Sequence, residues 1–298
     1  MNNIDNLKGV ITPVVTMFEN QKFSSEKMGN VIDFLINNNV NGLLFLGTAG
    51  EATHMEKDMR LEVIEYCIKK TNHRVPTIVG ISARSIQECI SYAEHAKDQG
   101  ADAVILVNPS YIKYSDDGIF NFYSAVASKI DLPILLYNFP SLTGQRISPE
   151  VVLRLASTYS NIIGIKDTTD SASSTREYIT TVKSKIPSFK VFAGFDEYLL
   201  NTLFLGGDGA IPGTSNFAPQ FTTQLYSAFL KQDYSAMLEN HQKIAKLCEI
   251  YTLHSPFFPV VKRAMLMNHI DVSTEALLPC TPISNQTINL LTNLLKKI

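Results

Sequence analysis

The chain is 298 residues long, 45% hydrophobic and 18% charged, with a formal net charge of −2. That balance belongs to a folded core and excludes a disordered chain, while a charge this small, with no Lys/Arg-rich block, offers nucleic acid no basic footprint. No apolar run approaches the ~18 residues needed to span a bilayer, and the first residues, MNNIDNLKGV, carry neither a basic nor an apolar leader region. A cytoplasmic protein with neither membrane nor nucleic acid as partner is expected.

Taken in chain order, short aliphatic or β-branched runs alternate with amphipathic helical segments, the pattern of parallel βαβ units. The strand candidates are residues 9–16, 42–47, 76–82, 103–109, 133–139, 162–167, 190–195 and 209–215. Between them lie helical segments such as SSEKMGNVIDFLINN, EKDMRLEVIEYCIKK and SIQECISYAEHAKDQG, with Ser24, Glu56 or Ser85 near their starts and Gly100 closing the third. Eight such units fit a (β/α)8 TIM barrel over residues 1–232 better than an open doubly wound sheet, whose first strand would run into a glycine-rich phosphate turn. Residues 233–298, with no Pro/Ser-rich linker before them, read as a helical extension packed on the barrel.

Metal and thiol chemistry find little support. Cys67, Cys89, Cys248 and Cys280 are far apart, with no CxxC pair, and read as buried free thiols; the six histidines show no HExxH or HxH spacing.

The segment NIIGIKDTTDS places Lys166 at the end of an apolar run. With Ile163 and Ile165 turned toward the helices, Gly164 and Lys166 face the barrel interior, and Lys166 stands at the mouth, where barrel chemistry sits. Desolvation there disfavours a charged amine, and a neutral amine is a nucleophile for a carbonyl. The alternative is a lysine that snorkels to solvent or pairs with Asp167. Tyr137, in phase with Leu135 on the neighbouring strand, faces the same mouth, as a proton carrier or as a buried phenol hydrogen-bonded to a carbonyl. Thr48 opens a glycine-flanked turn in FLGTAGEATHM whose N–H groups could hold a carboxylate, or which is a plain connection. Tyr111, in LVNPSYIKYS, is a further candidate, with an exposed aromatic at an oligomer interface as the other reading.

Together GVITPVVT, GTAGE, YNFPSLTG, IIGIKD, GGDGAI and SPFFPVVKRAM make the chain resemble the dihydrodipicolinate synthase / N-acetylneuraminate lyase family of pyruvate-dependent class I aldolases, over nearly its whole length. The resemblance implies a (β/α)8 barrel with a C-terminal helical extension, a homotetramer built from tight dimers, a small 2-oxo acid and an aldehyde as substrates, and no metal or organic cofactor. It implies that Lys166 forms the Schiff base, that Tyr137 is the acid/base, and that Thr48 and Tyr111 complete the proton relay, Tyr111 often across the tight dimer. Substrate contacts are implied at Ala49, Thr168, Gly194, Asp196, Glu197, Ile211 and Leu142.

Departures from the synthase pattern carry the substrate information. Ala49 replaces the second threonine of the synthases' turn, and Leu142 stands where they place an arginine for the carboxylate of aspartate semialdehyde. Asp196 and Glu197 in GFDE, which could accept hydrogen bonds from sugar hydroxyls or merely begin a helix, resemble the lyases, as does Thr168 in KDT. Gly213, where the lyases tend to have serine, counts against acetylneuraminate. The expected activity is cleavage of a 2-keto-3-deoxy sugar acid such as 2-keto-3-deoxygluconate. 4-Hydroxy-tetrahydrodipicolinate synthase and then acetylneuraminate lyase come next, and a catalytically inactive barrel that senses a 2-oxo acid is the alternative outside the enzymes.

Overall fold

A computed structural model describes residues 7–298; the reading of residues 1–6 as free of a leader lies outside it. Eight parallel strands close into a barrel: β1 (Gly9–Pro13), β4 (Gly42–Phe45), β5 (Thr77–Gly80), β6 (Ala103–Val107), β7 (Ile134–Asn138), β8 (Ile162–Asp167), β9 (Lys190–Ala193) and β10 (Gly209–Ala210), with β10 pairing back to β1. Two short strands, β2 (Phe18–Glu19) and β3 (Lys22–Phe23), form a separate hairpin between β1 and the first helix. All eight sequence-predicted strands are present. Their near-continuous apolar runs reflect strands buried on both faces. Leu44, Ile78, Ile105, Leu135, Phe192 and Ile211 fill the interior, while Val79, Val104, Leu136, Ile165 and Val191 face the surrounding helices.

One strand departs from simple alternation. Ile134 pairs with Ile162 but Leu135 pairs with Gly164, so Ile163 is an extra residue in β8. Such a bulge bends the strand and re-aims the side chains beyond it. Ile163 therefore packs, half-buried, against the interior cluster instead of the helices, whereas Ile165 does face outward as expected. Gly164 accommodates the crowding: a Cβ there would lie 2.6 Å from the Lys190 carbonyl oxygen and 2.8 Å from Leu135 Cδ2.

Among the helices α1 (Ser25–Asn37), α2 (Lys57–Thr71) and α3 (Ile86–Gln99), the start signals differ in use. Ser85 forms a full capping box with Glu88, and Gly100 closes α3 in the left-handed region. Ser24 and Glu56 occupy the caps of α1 and α2 without a side-chain bond to the helix; Ser24 instead donates to Glu19 at 2.6 Å. The sequence did not announce the hairpin of β2 and β3. Its turn residues Asn20 and Gln21 both have positive φ and both donate their backbone N–H groups to Glu275.

The helix layer continues with α4 (Asp116–Ala127), the one-turn α5 (Pro140–Thr143), α6 (Pro149–Thr158), α7 (Ala172–Tyr178) and α8 (Leu199–Phe204). After β10, α9 (Pro219–Lys231) carries α10 (Tyr234–Leu247) on its surface, with α11 (Phe258–Met267) and α12 (Asn285–Leu295) completing the chain. Among the described residues no helix is long and apolar enough to cross a membrane.

The C-terminal end of β4 approaches β5 closely. Leu46 leaves the strand with φ 54, and a Cβ on Gly80 would lie 2.0 Å from its carbonyl oxygen. Backbone cannot yield as a side chain can, so Gly80→Ala is expected to lower unfolding free energy by about 1 to 3 kcal/mol, read by denaturant titration; an unchanged midpoint would contradict this packing.

Candidate active site

The bulge in β8 brings Lys166 directly opposite Tyr137 of β7 in the parallel register. Both side chains are buried at 5% exposure. Lys166 Nζ lies 3.3 Å from the Tyr137 hydroxyl and 4.4 Å from the centre of its ring. The same hydroxyl lies 3.3 Å from Thr48 Oγ1, so amine, phenol and hydroxyl form one string across three loops and strands. Phe139 stacks on Tyr137 at 5.7 Å and limits its tilt.

The structural alternative for the lysine does not hold. Asp167 is buried and committed elsewhere, accepting from Asn138 Nδ2 at 2.8 Å, Thr169 Oγ1 at 2.8 Å and Thr175 Oγ1 at 3.2 Å. Among the described residues Lys166 makes no ion pair, and its low exposure excludes snorkelling to solvent. Asn138, which sequence reasoning missed, orients this end of β7 and β8, since its Oδ1 also accepts from the Ile147 N–H at 3.0 Å.

Thr48 and Ala49 lie in the turn that follows Leu46. The Gly50 and Glu51 N–H groups close the turn on the Gly47 and Thr48 carbonyls at 3.1 Å each. Among the described residues the N–H groups of Thr48 and Ala49 have no partner, which leaves two adjacent donors as a cradle for an anion. Glu51 ends the turn with φ 59, and its buried carboxylate contacts Lys262 Nζ at 2.6 Å with neither side chain exposed. Burial pushes the Lys262 amine below its ordinary pKa, and Glu51 opposes that shift. Neither residue was singled out from sequence. The available signal was a lysine inside the apolar helical run of SPFFPVVKRAM.

Beyond the lysine, Thr168 is 7% exposed and its Oγ1 is a buried hydroxyl without a partner. It sits where a side chain at Gly194 would be, since a Cβ there would lie 1.8 Å from Thr168 Oγ1. Ile211 is buried in the barrel interior, its N–H bonded to the Ala193 carbonyl at 2.8 Å.

Asp196 requires a correction. Its carboxylate was expected to meet substrate hydroxyls, but it is buried and accepts from the Gly213 N–H at 3.0 Å, the Thr214 N–H at 2.6 Å and the Tyr251 hydroxyl at 3.1 Å. Burial pushes its pKa up and these donors oppose the rise. It organises the turn after β10 and ties it to Tyr251 of the extension. A Cβ on Gly213 would lie 2.3 Å from the Tyr251 hydroxyl, so serine at that position would displace the tyrosine. Glu197 remains half-buried.

Two residues stand apart from the cluster. Tyr111 is 99% exposed with φ 75, and within one chain it does not reach the Thr48–Tyr137–Lys166 string. Leu142, on α5, is 60% exposed and contributes no charge at the rim. Among the described residues no group of three His, Cys, Asp or Glu side chains could hold a metal, and the four cysteines are free.

A closed parallel barrel with this cluster at its C-terminal mouth defines a (β/α)8-barrel enzyme. The chain belongs to the dihydrodipicolinate synthetase family, whose pattern it matches over residues 6–298. It is 40% identical over 279 residues to the probable 2-dehydro-3-deoxy-D-pentonate aldolase YjhH of Escherichia coli K12, covering 93% of each chain. It is 38% identical over 291 residues to the putative 2-dehydro-3-deoxy-D-gluconate aldolase YagE of the same organism, covering 97% of this chain and 96% of YagE. The crystal structure of YagE in complex with pyruvate superimposes with a TM-score of 0.96 over 98% of each chain. A 4-hydroxy-tetrahydrodipicolinate synthase from Thermotoga neapolitana is 30% identical over 97% of this chain and 98% of its own.

Proposed function

We propose that the protein is a class I aldolase that cleaves, or in reverse forms, a 2-keto-3-deoxy sugar acid, with pyruvate and a short hydroxyaldehyde as the partners of the reaction. The observation that carries this reading is the buried Lys166, without a carboxylate, 3.3 Å from the Tyr137 hydroxyl. The relatives named for 2-dehydro-3-deoxy-pentonate and -gluconate aldolases support the substrate class. YagE, seen with pyruvate, supports the 2-oxo acid.

In this mechanism the free N–H groups of Thr48 and Ala49 hold the substrate carboxylate. Lys166 Nζ adds to the C2 carbonyl, water leaves, and the resulting iminium is an electron sink. Tyr137 takes the proton of the C4 hydroxyl, the C3–C4 bond breaks, and its electron pair moves into an enamine at C2 and C3. The aldehyde departs as glyceraldehyde from the gluconate skeleton or glycolaldehyde from the pentonate. Protonation of C3 and hydrolysis of the imine release pyruvate and restore the amine, Thr48 sharing the proton with Tyr137. Because the lysine supplies the electron sink, the chemistry calls for no metal or organic cofactor. Tyr111 joins the relay from a second copy in the tight dimer of a homotetramer: a tyrosine this exposed, flanked by exposed Ile112 and Tyr114, is suited to burial against another chain. The reading places the enzyme in the cytoplasm with small-molecule partners only.

Borohydride added with pyruvate is expected to inactivate the protein irreversibly and leave a reduced pyruvyl group on the peptide containing Lys166, identified by mass spectrometry. A label on another lysine, or none, would sink the mechanism. Tyr137→Phe is expected to lower turnover by roughly 10² to 10⁴, the range for losing a general acid/base, while still allowing the pyruvate adduct to form. Near-normal turnover in that variant would reduce Tyr137 to a packing role.

Leu142 cannot pair with a carboxylate, and a charged hydrogen bond of that kind is worth about 1.5 to 3 kcal/mol. Condensation of pyruvate with aspartate semialdehyde is therefore expected to run roughly tenfold to a hundredfold below that of a synthase, and Leu142→Arg to narrow the gap. Efficient dihydrodipicolinate formation by the unaltered protein would overturn the assignment to sugar acids.

A further inference from the structure

The turn that presents the Thr48 and Ala49 donors is held on the barrel side by Thr16, whose Oγ1 donates to the Gly50 carbonyl at 2.9 Å, and on its far side by Glu51. Its last residue, Glu51, has left-handed backbone and turns its carboxylate away from the mouth into the seam between the barrel and the C-terminal helices. Both oxygens are used there. Oε1 meets Lys262 Nζ of α11 at 2.6 Å, and Oε2 accepts the N–H of Leu277 at 2.8 Å. Lys262 also donates to the Glu275 carbonyl at 2.6 Å and lies 4.5 Å from the centre of the Phe18 ring. One carboxylate thus fastens the turn to α11 and to the segment after it, far along the chain.

We propose that the Glu51–Lys262 pair positions the carboxylate-binding donors, so that the C-terminal extension is part of the substrate site and not only a cover for the barrel. The inference rests on the aldolase reading for what the cradle binds. A non-glycine residue in the left-handed region persists only where its surroundings hold it, and a buried charge pair holds strongly because separating it strands two charges away from water. Without the pair, the N–H groups of Thr48 and Ala49 would sample directions that miss the carboxylate, while the lysine on β8, fixed by the barrel ladder, would keep its place. Loss of the pair should therefore weaken binding of a 2-oxo acid without disabling the amine.

The test compares two carbonyl compounds on the same lysine. Borohydride trapping on Lys166 is measured against pyruvate concentration, and reductive alkylation of Lys166 is measured with acetaldehyde and cyanoborohydride, acetaldehyde having no carboxylate. In Glu51→Gln the pyruvate concentration for half-maximal trapping is expected to rise about tenfold, the cost of misplacing one charge-assisted contact, with alkylation by acetaldehyde unchanged. In the sugar-acid reaction KM should rise more than kcat falls, the mark of lost uniform binding. Glu51→Gln leaves Lys262 buried without its partner and could fail to fold, so Glu51→Gln/Lys262→Met, which removes both charges from the seam, is run beside it and should show the same raised pyruvate requirement. Normal pyruvate saturation in either folded variant, or equal losses toward pyruvate and acetaldehyde, would overturn the inference. Absence of trapping on Lys166 in the unaltered protein would instead strike at the aldolase reading itself.

Discussion

An ammonium taken out of water must be given a counter-charge or hydrogen-bond acceptors, because its desolvation is too costly to leave unanswered. This chain buries two lysines and answers them differently. Lys262 receives a carboxylate, a backbone carbonyl and an aromatic face, so every direction in which its nitrogen could act is filled. Lys166 receives a phenol hydroxyl and ring, with the carboxylate next to it in sequence, Asp167, already engaged by Asn138, Thr169 and Thr175. The first arrangement spends the amine on holding the fold together; the second leaves it available to a carbonyl.

The availability of Lys166 is a property of the strand register more than of the residue. Were Ile163 to take a regular place in the ladder, Ile165 would stand opposite Tyr137 and face the mouth, and the lysine would enter the helix layer. Three glycines keep the surroundings close enough for the register to matter. Gly164 admits Leu135 beneath the lysine, Gly194 admits Thr168 beside it, and Gly80 lets the Leu46 backbone approach so that the Thr48 turn can reach Tyr137.

Much of this was legible in the sequence because barrels are built from local patterns. Eight apolar runs, each with an amphipathic segment after it, defined the topology, and two in-phase residues on adjacent strands, Tyr137 and Lys166, marked the centre of the site. The bulge was not legible, since Ile162 and Ile163 are equally apolar and either could face inward. The hairpin at Asn20 and Gln21 was hidden because its turn contains no glycine, its positive φ angles being stabilised by a carboxylate more than 250 positions away. Asp196 shows the same blindness at the site. As a strand-end acid its type suggested contact with ligand, but the backbone donors of Gly213 and Thr214 and the phenol of Tyr251 come from elements whose approach no local pattern records.

The distribution of roles around the mouth also separates chemistry from choice of substrate. In the proposed mechanism an iminium on Lys166 withdraws electrons from C3 whatever aldehyde is attached there, and the cradle at Thr48 and Ala49 meets only the carboxylate end that all 2-oxo acids share. In that reading the substrate past C3 is left to other groups, with the unpartnered Thr168 hydroxyl and the uncharged side chain of Leu142 as the proposed contacts. These sit on loops and a one-turn helix, where substitution disturbs no barrel ladder. In the proposed reading the unpartnered Thr168 hydroxyl and the apolar Leu142 suit a substrate tail that presents hydroxyl groups better than one that needs an ion pair at position 142.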